Sequence, residues 1–189
     1  VESLGLRSTK DLVVKHINKA TSFNIATGFI TNDSIAELQS IVAYKGSSMT
    51  LNLFIGMNYL DGFTKIQYNA VNELNEMLHE IGTGKVYLSP KALFHGKMYS
   101  FYEDSACLGS FVGSSNLGSF LDKSASYIES DIYFEGGEGI GINDNITKII
   151  SCLGQEFDDV PAITKFKKPE IQVLKGYDHV TEVTSEQLE

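Results

Sequence analysis

The stretch FHGKMYSFYEDSACLGSFVGSSN, residues 94–116, carries the fold and the chemistry together. KMYSFY (97–102) and ACLGSFVG (106–113) read as consecutive strands, and consecutive strands this close pair antiparallel. His95 and Lys97 stand two apart at the entrance, so on a strand their side chains share a face. Gly113, Ser114 and Asn116 close the second strand, and an antiparallel return brings that turn back beside the entrance. Chance sets a high bar: four histidines among this many lysines give about 0.3 His-x-Lys pairs in 189 residues. Alone, such a pair is more often a hydrogen-bonded histidine at a strand end.

The segments before the hairpin follow a different grammar. STKDLVVKHINKA (8–20) predicts a capped helix with Leu12, Val13, His16 and Ile17 on one face. SFNIATGFI (22–30) reads as a buried strand, residues 31–46 as a helix closed by Gly46, and MTLNLFIGM (49–57) as an inner strand. Residues 63–84 give the strongest helix, with Ile66, Ala70, Leu74, Met77 and Leu78 on one side, and KVYLS (85–89) is a short strand. This α-β-α-β-α-β order implies right-handed crossovers and a sheet covered by helices. After the hairpin come a third strand over 126–136 and a last helix over 143–157. The expected fold is α/β, a mixed central β-sheet flanked by helices on both faces. Residues 1–160 are expected to form one domain, and 161–189 a linker or the start of a truncated C-terminal domain.

Composition narrows the function. With 42% hydrophobic and 21% charged residues the chain is an ordinary globular one. No apolar run is long enough to cross a bilayer, and two cysteines suggest neither a disulfide framework nor a zinc cluster. A cytoplasmic setting is the default. The net charge of −9 excludes a surface that is basic all over, so a polyanion would have to meet a local basic pocket or another domain. Arg7 is the single arginine, which argues against bidentate reading of guanines. The start at Val1 and the close in TEVTSEQLE suggest an excised piece of a longer chain.

His95 and Lys97, followed at this distance by Gly113, Ser114 and Asn116, resemble the signature of the phospholipase D superfamily. By that resemblance His95 is the nucleophile toward phosphorus, Lys97 and Asn116 hold the non-bridging phosphate oxygens, and Ser114 supports the geometry nearby. The full pattern has an aspartate five residues after the lysine; here that position is Tyr102, and Asp104 could reach it only through a bulge. That departure, together with HGKMY and SYIESDIYF, is similar to the divergent branch of NgoFVII-like type II restriction endonucleases. Glu129 falls where that branch carries an acid of the catalytic site. The implied activity is metal-independent cleavage of DNA by the catalytic domain of a restriction endonuclease. A separate DNA-recognition domain, missing from this fragment, is implied C-terminal to it.

The chemistry is coherent on its own terms. An imidazole can attack a phosphodiester, and a covalent phosphohistidine splits one hard displacement into two easier ones. A carboxylate such as Glu129 could fix the tautomer, while an ammonium and an amide are fixed donors for phosphoryl oxygens. The residues suggest no cofactor and no acidic cluster of the two-metal kind. The leaving oxygen needs a proton, which the resemblance implies comes from a second motif; none of His16, His79 and His179 is followed by lysine at that spacing, and each reads as a surface or helix-face residue. One motif per chain therefore predicts a homodimer with the site on its twofold axis, each protomer giving one His95.

Other features have plainer readings. EGGEGIGIN (135–143) lacks a phosphate-loop lysine and reads as a strand-to-helix connection. Phe94, Tyr99, Phe101 and Tyr102 could stack on bases, but alternation sends at least half of them to the core. Lys165, Lys167 and Lys168 form a solvated run or a minor phosphate contact. Two rival functions stay open: a superfamily phosphodiesterase acting on lipid or another diester, and an inactive dimerisation module. The missing aspartate and the lack of an amphipathic membrane-binding stretch count against the first. The intact His95, Lys97, Ser114, Asn116 and Glu129 count against the second.

Overall fold

Threonines decide where two of the helices begin. Thr31 accepts from the Ser34 amide at 3.1 Å while Ser34 Oγ accepts from the Thr31 amide at 3.0 Å, and Thr64 and Gln67 make the same reciprocal exchange. The computed structural model describes residues 9–118 and 130–168. In chain order these form α1 (Thr9–Lys19), β1 (Ser22–Thr27), α2 (Asn32–Lys45), β2 (Thr50–Ile55), the short α3 (Asn58–Asp61), α4 (Lys65–Ile81), β3 (Gly84–Leu88), β4 (Lys97–Glu103), β5 (Ala106–Gly113), β6 (Asp131–Glu135), α5 (Ile140–Leu153) and β7 (Gln155–Glu156). Among the described residues no helix is long and apolar enough to cross a membrane.

The strands make one seven-stranded sheet in the order β6-β5-β4-β1-β2-β3-β7. β1, β2 and β3 run parallel, whereas β4 pairs antiparallel with β1 and continues antiparallel through β5 and β6. The change of grammar at the hairpin is thus a change of pairing mode inside one sheet. Alternation then splits the side chains between two faces. Phe23 and Ile25 line up with Leu51 and Leu53 on one side and with Phe101 and Tyr99 on the other. These fully buried side chains form the larger core, closed by α1, α2 and α4. On the opposite face Ala26 and Phe54 meet Ile146 of α5.

Several boundaries differ from the sequence expectation, each for a local reason. β1 stops at Thr27 because the next amides find side chains instead of a strand: Phe29 N–H donates to Asn116 Oδ1 and Ile30 N–H to Asn58 Oδ1. The buried face of α4 is Val71, Leu74, Asn75 and Leu78, while Ile66 is 60% exposed. Asn75 is buried because its amide donates to the Asp158 carboxylate at 3.0 and 3.2 Å. The last helix runs 140–153 rather than 143–157. Gly154 leaves the helix in an extended conformation, and Gln155–Glu156 then pairs with β3, where Glu156 meets Lys85 at 2.5 Å. The glycine-rich 136–139 is a 3-10 turn leading into α5. Of the third expected strand, 131–135 is seen and 126–129 lie outside the described residues.

His16 sits on the α1 face expected of it, but in the core rather than at the surface. It is 4% exposed, stacked on Phe101 and Tyr133, with Nε2 2.9 Å from the Tyr133 hydroxyl. Burial, reinforced by Lys15 and opposed by Glu135, lowers its pKa below the ordinary 6.5. The unfolded chain therefore takes up this proton more readily than the folded one. The contribution is complete above about pH 6.5 and is lost as the pH falls through the folded value. The melting temperature is expected to drop further between about pH 7.5 and 5 in wild type than in His16→Phe. Parallel melting curves over this range would remove the assignment.

Candidate active site

The parallel strands β1 and β2 both end at the same edge of the sheet, and β4 begins there. Thr27, the last residue of β1, is in register with Lys97, the first of β4. At this seam the chain passes from the β2 side of β1 to the β4 side, the kind of crevice where α/β sheets bind ligands. Two glycines let the backbone close up. Gly56 takes the Phe94 amide on its carbonyl at 3.0 Å, and a Cβ at Gly56 would lie 2.3 Å from Phe94 O. A Cβ at Gly28 would touch the His95 backbone and ring at 3.2 Å.

His95 is exposed at this edge, and Lys97 beside it is 5% exposed. The Lys97 ammonium donates to His95 O at 2.7 Å and lies 3.2 and 3.1 Å from Nδ1 and Nε2 of the ring. The Phe29 ring packs edge-on against the imidazole, centroids 5.6 Å apart. Asn116 joins the same loop through Phe29: its Oδ1 accepts the Phe29 amide at 3.4 Å, and its Nδ2 has no acceptor among the described residues. His95, Lys97 and Asn116 are thus gathered around Gly28 and Phe29.

Ser114 lies one step further out. Its hydroxyl accepts from Ser130 N–H at 2.9 Å, and its own amide donates to Ser130 O at 3.1 Å, tying the end of β5 to the start of β6. Glu129, the remaining candidate, lies outside the described residues. Asp104 does not approach His95. A bulge exists at Phe101/Tyr102, but it leads to the β4–β5 turn, where Asp104 adopts φ 54° and its amide donates to Thr21 Oγ1, before β1 begins. That is the opposite end of the sheet from His95. Tyr102 is at that end too, half-buried beside Cys107, and burial raises the pKa of its phenol. The extra residue of that bulge is Leu108 on β5, so β4 itself runs on regularly and does not turn its acid back.

Of the other histidines, His16 is committed to the aromatic core and His79 pairs with Asp158 at 3.4 Å; His179 lies outside the described residues. Tyr99 and Phe101 are core residues, and Phe94 packs on Phe54. The sequence reading missed a supporting layer. Ser115, buried, donates its amide to Asp131 Oδ1 at 3.1 Å and its hydroxyl to Asp131 Oδ2, and the Tyr99 hydroxyl donates to Ser115 O at 2.7 Å. This layer fixes the backbone on either side of Asn116. Its one sequence signal is Gly113, which faces Asp131 across the hairpin and where a Cβ would overlap that carboxylate.

An antiparallel hairpin docked on a parallel β-α-β-α-β unit, with His, Lys and Asn at the carboxyl edge, defines a phospholipase D-type domain. The solved structure of the phospholipase D family member Nuc from Salmonella typhimurium shares this fold: TM-score 0.52 at 15% identity, over 78% of this chain and 90% of that one. A family model described as the NgoFVII restriction endonuclease N-terminal PLD domain matches residues 8–149, and the chain belongs to that family. It is accordingly a domain of the phospholipase D phosphodiesterase and nuclease superfamily. No curated protein matches the sequence.

Proposed function

We propose that the domain is the catalytic part of a type II restriction endonuclease, hydrolysing DNA phosphodiesters through a phosphohistidine at His95. The observation that carries this is the buried Lys97 ammonium held 3.1–3.2 Å from both His95 ring nitrogens. A cation fixed there meets the non-bridging oxygens of any phosphate presented to the imidazole. The unengaged Asn116 Nδ2 supplies a second donor. An ammonium and an amide suit phosphate oxygens better than a divalent cation, which supports a metal-independent reaction.

In the first step a His95 ring nitrogen bonds to phosphorus and the P–O bond to the leaving oxygen breaks. That oxygen takes a proton from an imidazolium. In the second step water attacks the phosphohistidine, the N–P bond breaks, and the water proton returns to the same imidazole. His16 and His79 are engaged elsewhere, which supports a second copy of the chain as the source of the acid, with the two His95 side chains facing across a twofold axis. Ser114 steadies the junction with β6, and Glu129 is assigned as the acceptor orienting the His95 imidazole. Sequence recognition of DNA is assigned to a separate domain, in keeping with the charge of −9.

The test is plasmid cleavage in excess EDTA by this chain and by its full-length parent. Labelled DNA quenched in mid-reaction should leave an acid-labile, base-stable label on the protein, and sedimentation should give a dimer. Cleavage that requires added metal, or a labelled adduct that persists in a His95 variant, would sink the mechanism. A monomer that is active would sink the shared site.

A further inference from the structure

Phe29 has two sides. One packs on His95; the other walls a cavity of about 360 Å³ on the α4 side of the site. That volume is at the small end of ligand clefts, roughly 300–1,000 Å³. The cavity forms where the segment leaving β2 (α3, then Gly62 at φ 111°) turns into α4, and where a late segment crosses back over it. Lys167 N–H donates to Phe63 O at 2.8 Å, and Lys167 bridges in parallel to Thr64.

The polar groups lining it are arranged for an anion-bearing guest. Asn58 is 3% exposed; its Oδ1 accepts the Ile30 amide at 3.3 Å, while its Nδ2 has no acceptor among the described residues. The residue is buried, yet this donor opens onto the cavity, where a guest can take it. The acid on the wall, Asp61, is neutralised by Lys167 Nζ at 2.6 Å. Lys168 remains as an exposed cation at the rim. The start of the 17-residue α4, capped at Thr64, adds the positive end of its dipole. In a chain of charge −9, this wall is locally positive.

We propose that this cavity is the subsite for the nucleotide adjoining the scissile phosphate. Asn58 Nδ2 donates to it, Lys168 meets its outer phosphate, and the Phe29 ring lies along its base. The assignment rests on His95 acting on nucleic acid, because the shared Phe29 makes the guest the next unit of the same substrate.

The probe is thymidine 3′,5′-bisphosphate, which carries a nucleoside and two phosphates but no diester to cut. Titrated into the isotope-labelled 189-residue chain, it should shift the Asn58 side-chain NH₂ resonance saturably. Asn58→Asp keeps the acceptor for Ile30 and replaces the donor with a negative charge; Kd should weaken at least tenfold. The exposed Lys168→Gln should weaken it about threefold, and decides the matter should Asn58→Asp fail to fold. Wild-type affinity in the variants overturns the subsite, as does inorganic phosphate reproducing both shift and affinity. Binding without hydrolysis of any diester would overturn the nuclease reading, and with it the place beside a scissile phosphate, while nucleotide binding in the cavity would stand. DNA cleavage with no change in the Asn58 resonance would do the reverse.

Discussion

Alanine at position 95 is expected to leave a folded protein whose DNA cleavage is down by at least about 10³-fold, the loss that follows removal of a covalent nucleophile. His95 is exposed and stands outside the β4 ladder, so the sheet and both cores should keep their melting temperature. The ring's removal also frees the Lys97 ammonium from its two nitrogen neighbours. DNA binding at low salt should therefore survive, or tighten, while turnover disappears. Measured kcat, with binding followed separately, separates a lost nucleophile from a lost fold. Residual cleavage within tenfold of wild type would remove His95 from the chemistry.

The second large effect is expected from a residue with no reactive group. Gly56→Ala would put a Cβ 2.3 Å from Phe94 O and 2.7 Å from Phe94 Cβ. Backbone cannot yield as a flexible side-chain tip does, so the segment carrying His95 must shift while Lys97 stays in register with Thr27. A displacement near 1 Å of a reacting group can cost about 10²-fold in rate, whereas overpacking costs about 1–3 kcal/mol of stability. The predicted signature is a kcat about 10²-fold lower with only a modest fall in melting temperature. Wild-type kcat would show that the His95 segment tolerates movement.

The alternation of apolar residues in β1, β2 and the hairpin strands made the layer order legible, because a period of two on a sheet buried on both faces allows few other arrangements. Helix starts were legible at Thr31 and Thr64, where capping is a local event. Helix ends were less so: Gly154 permits the exit from α5, but only the edge of β3 with Lys85 beside it makes a strand of Gln155–Glu156. The buried Asn75 on α4 likewise follows from a distant partner, Asp158, rather than from hydrophobic period.

In the proposed site, His95, Lys97, Ser114 and Asn116 were picked out by their spacing together with its resemblance to the phospholipase D signature, and Glu129, outside the described residues, by that resemblance alone. Sequence by itself determined which groups are available: an imidazole, an ammonium, an amide, and no second histidine with the same neighbours. Tertiary structure decided what surrounds them. It carried Asp104 to the far edge, since β4 runs from Lys97 in unbroken register with β1 and the bulge's extra residue lies on β5. It brought Phe29 and Gly56 from two crossover loops against the hairpin entrance, because parallel strands deliver their exit loops to one edge whatever the sequence between them.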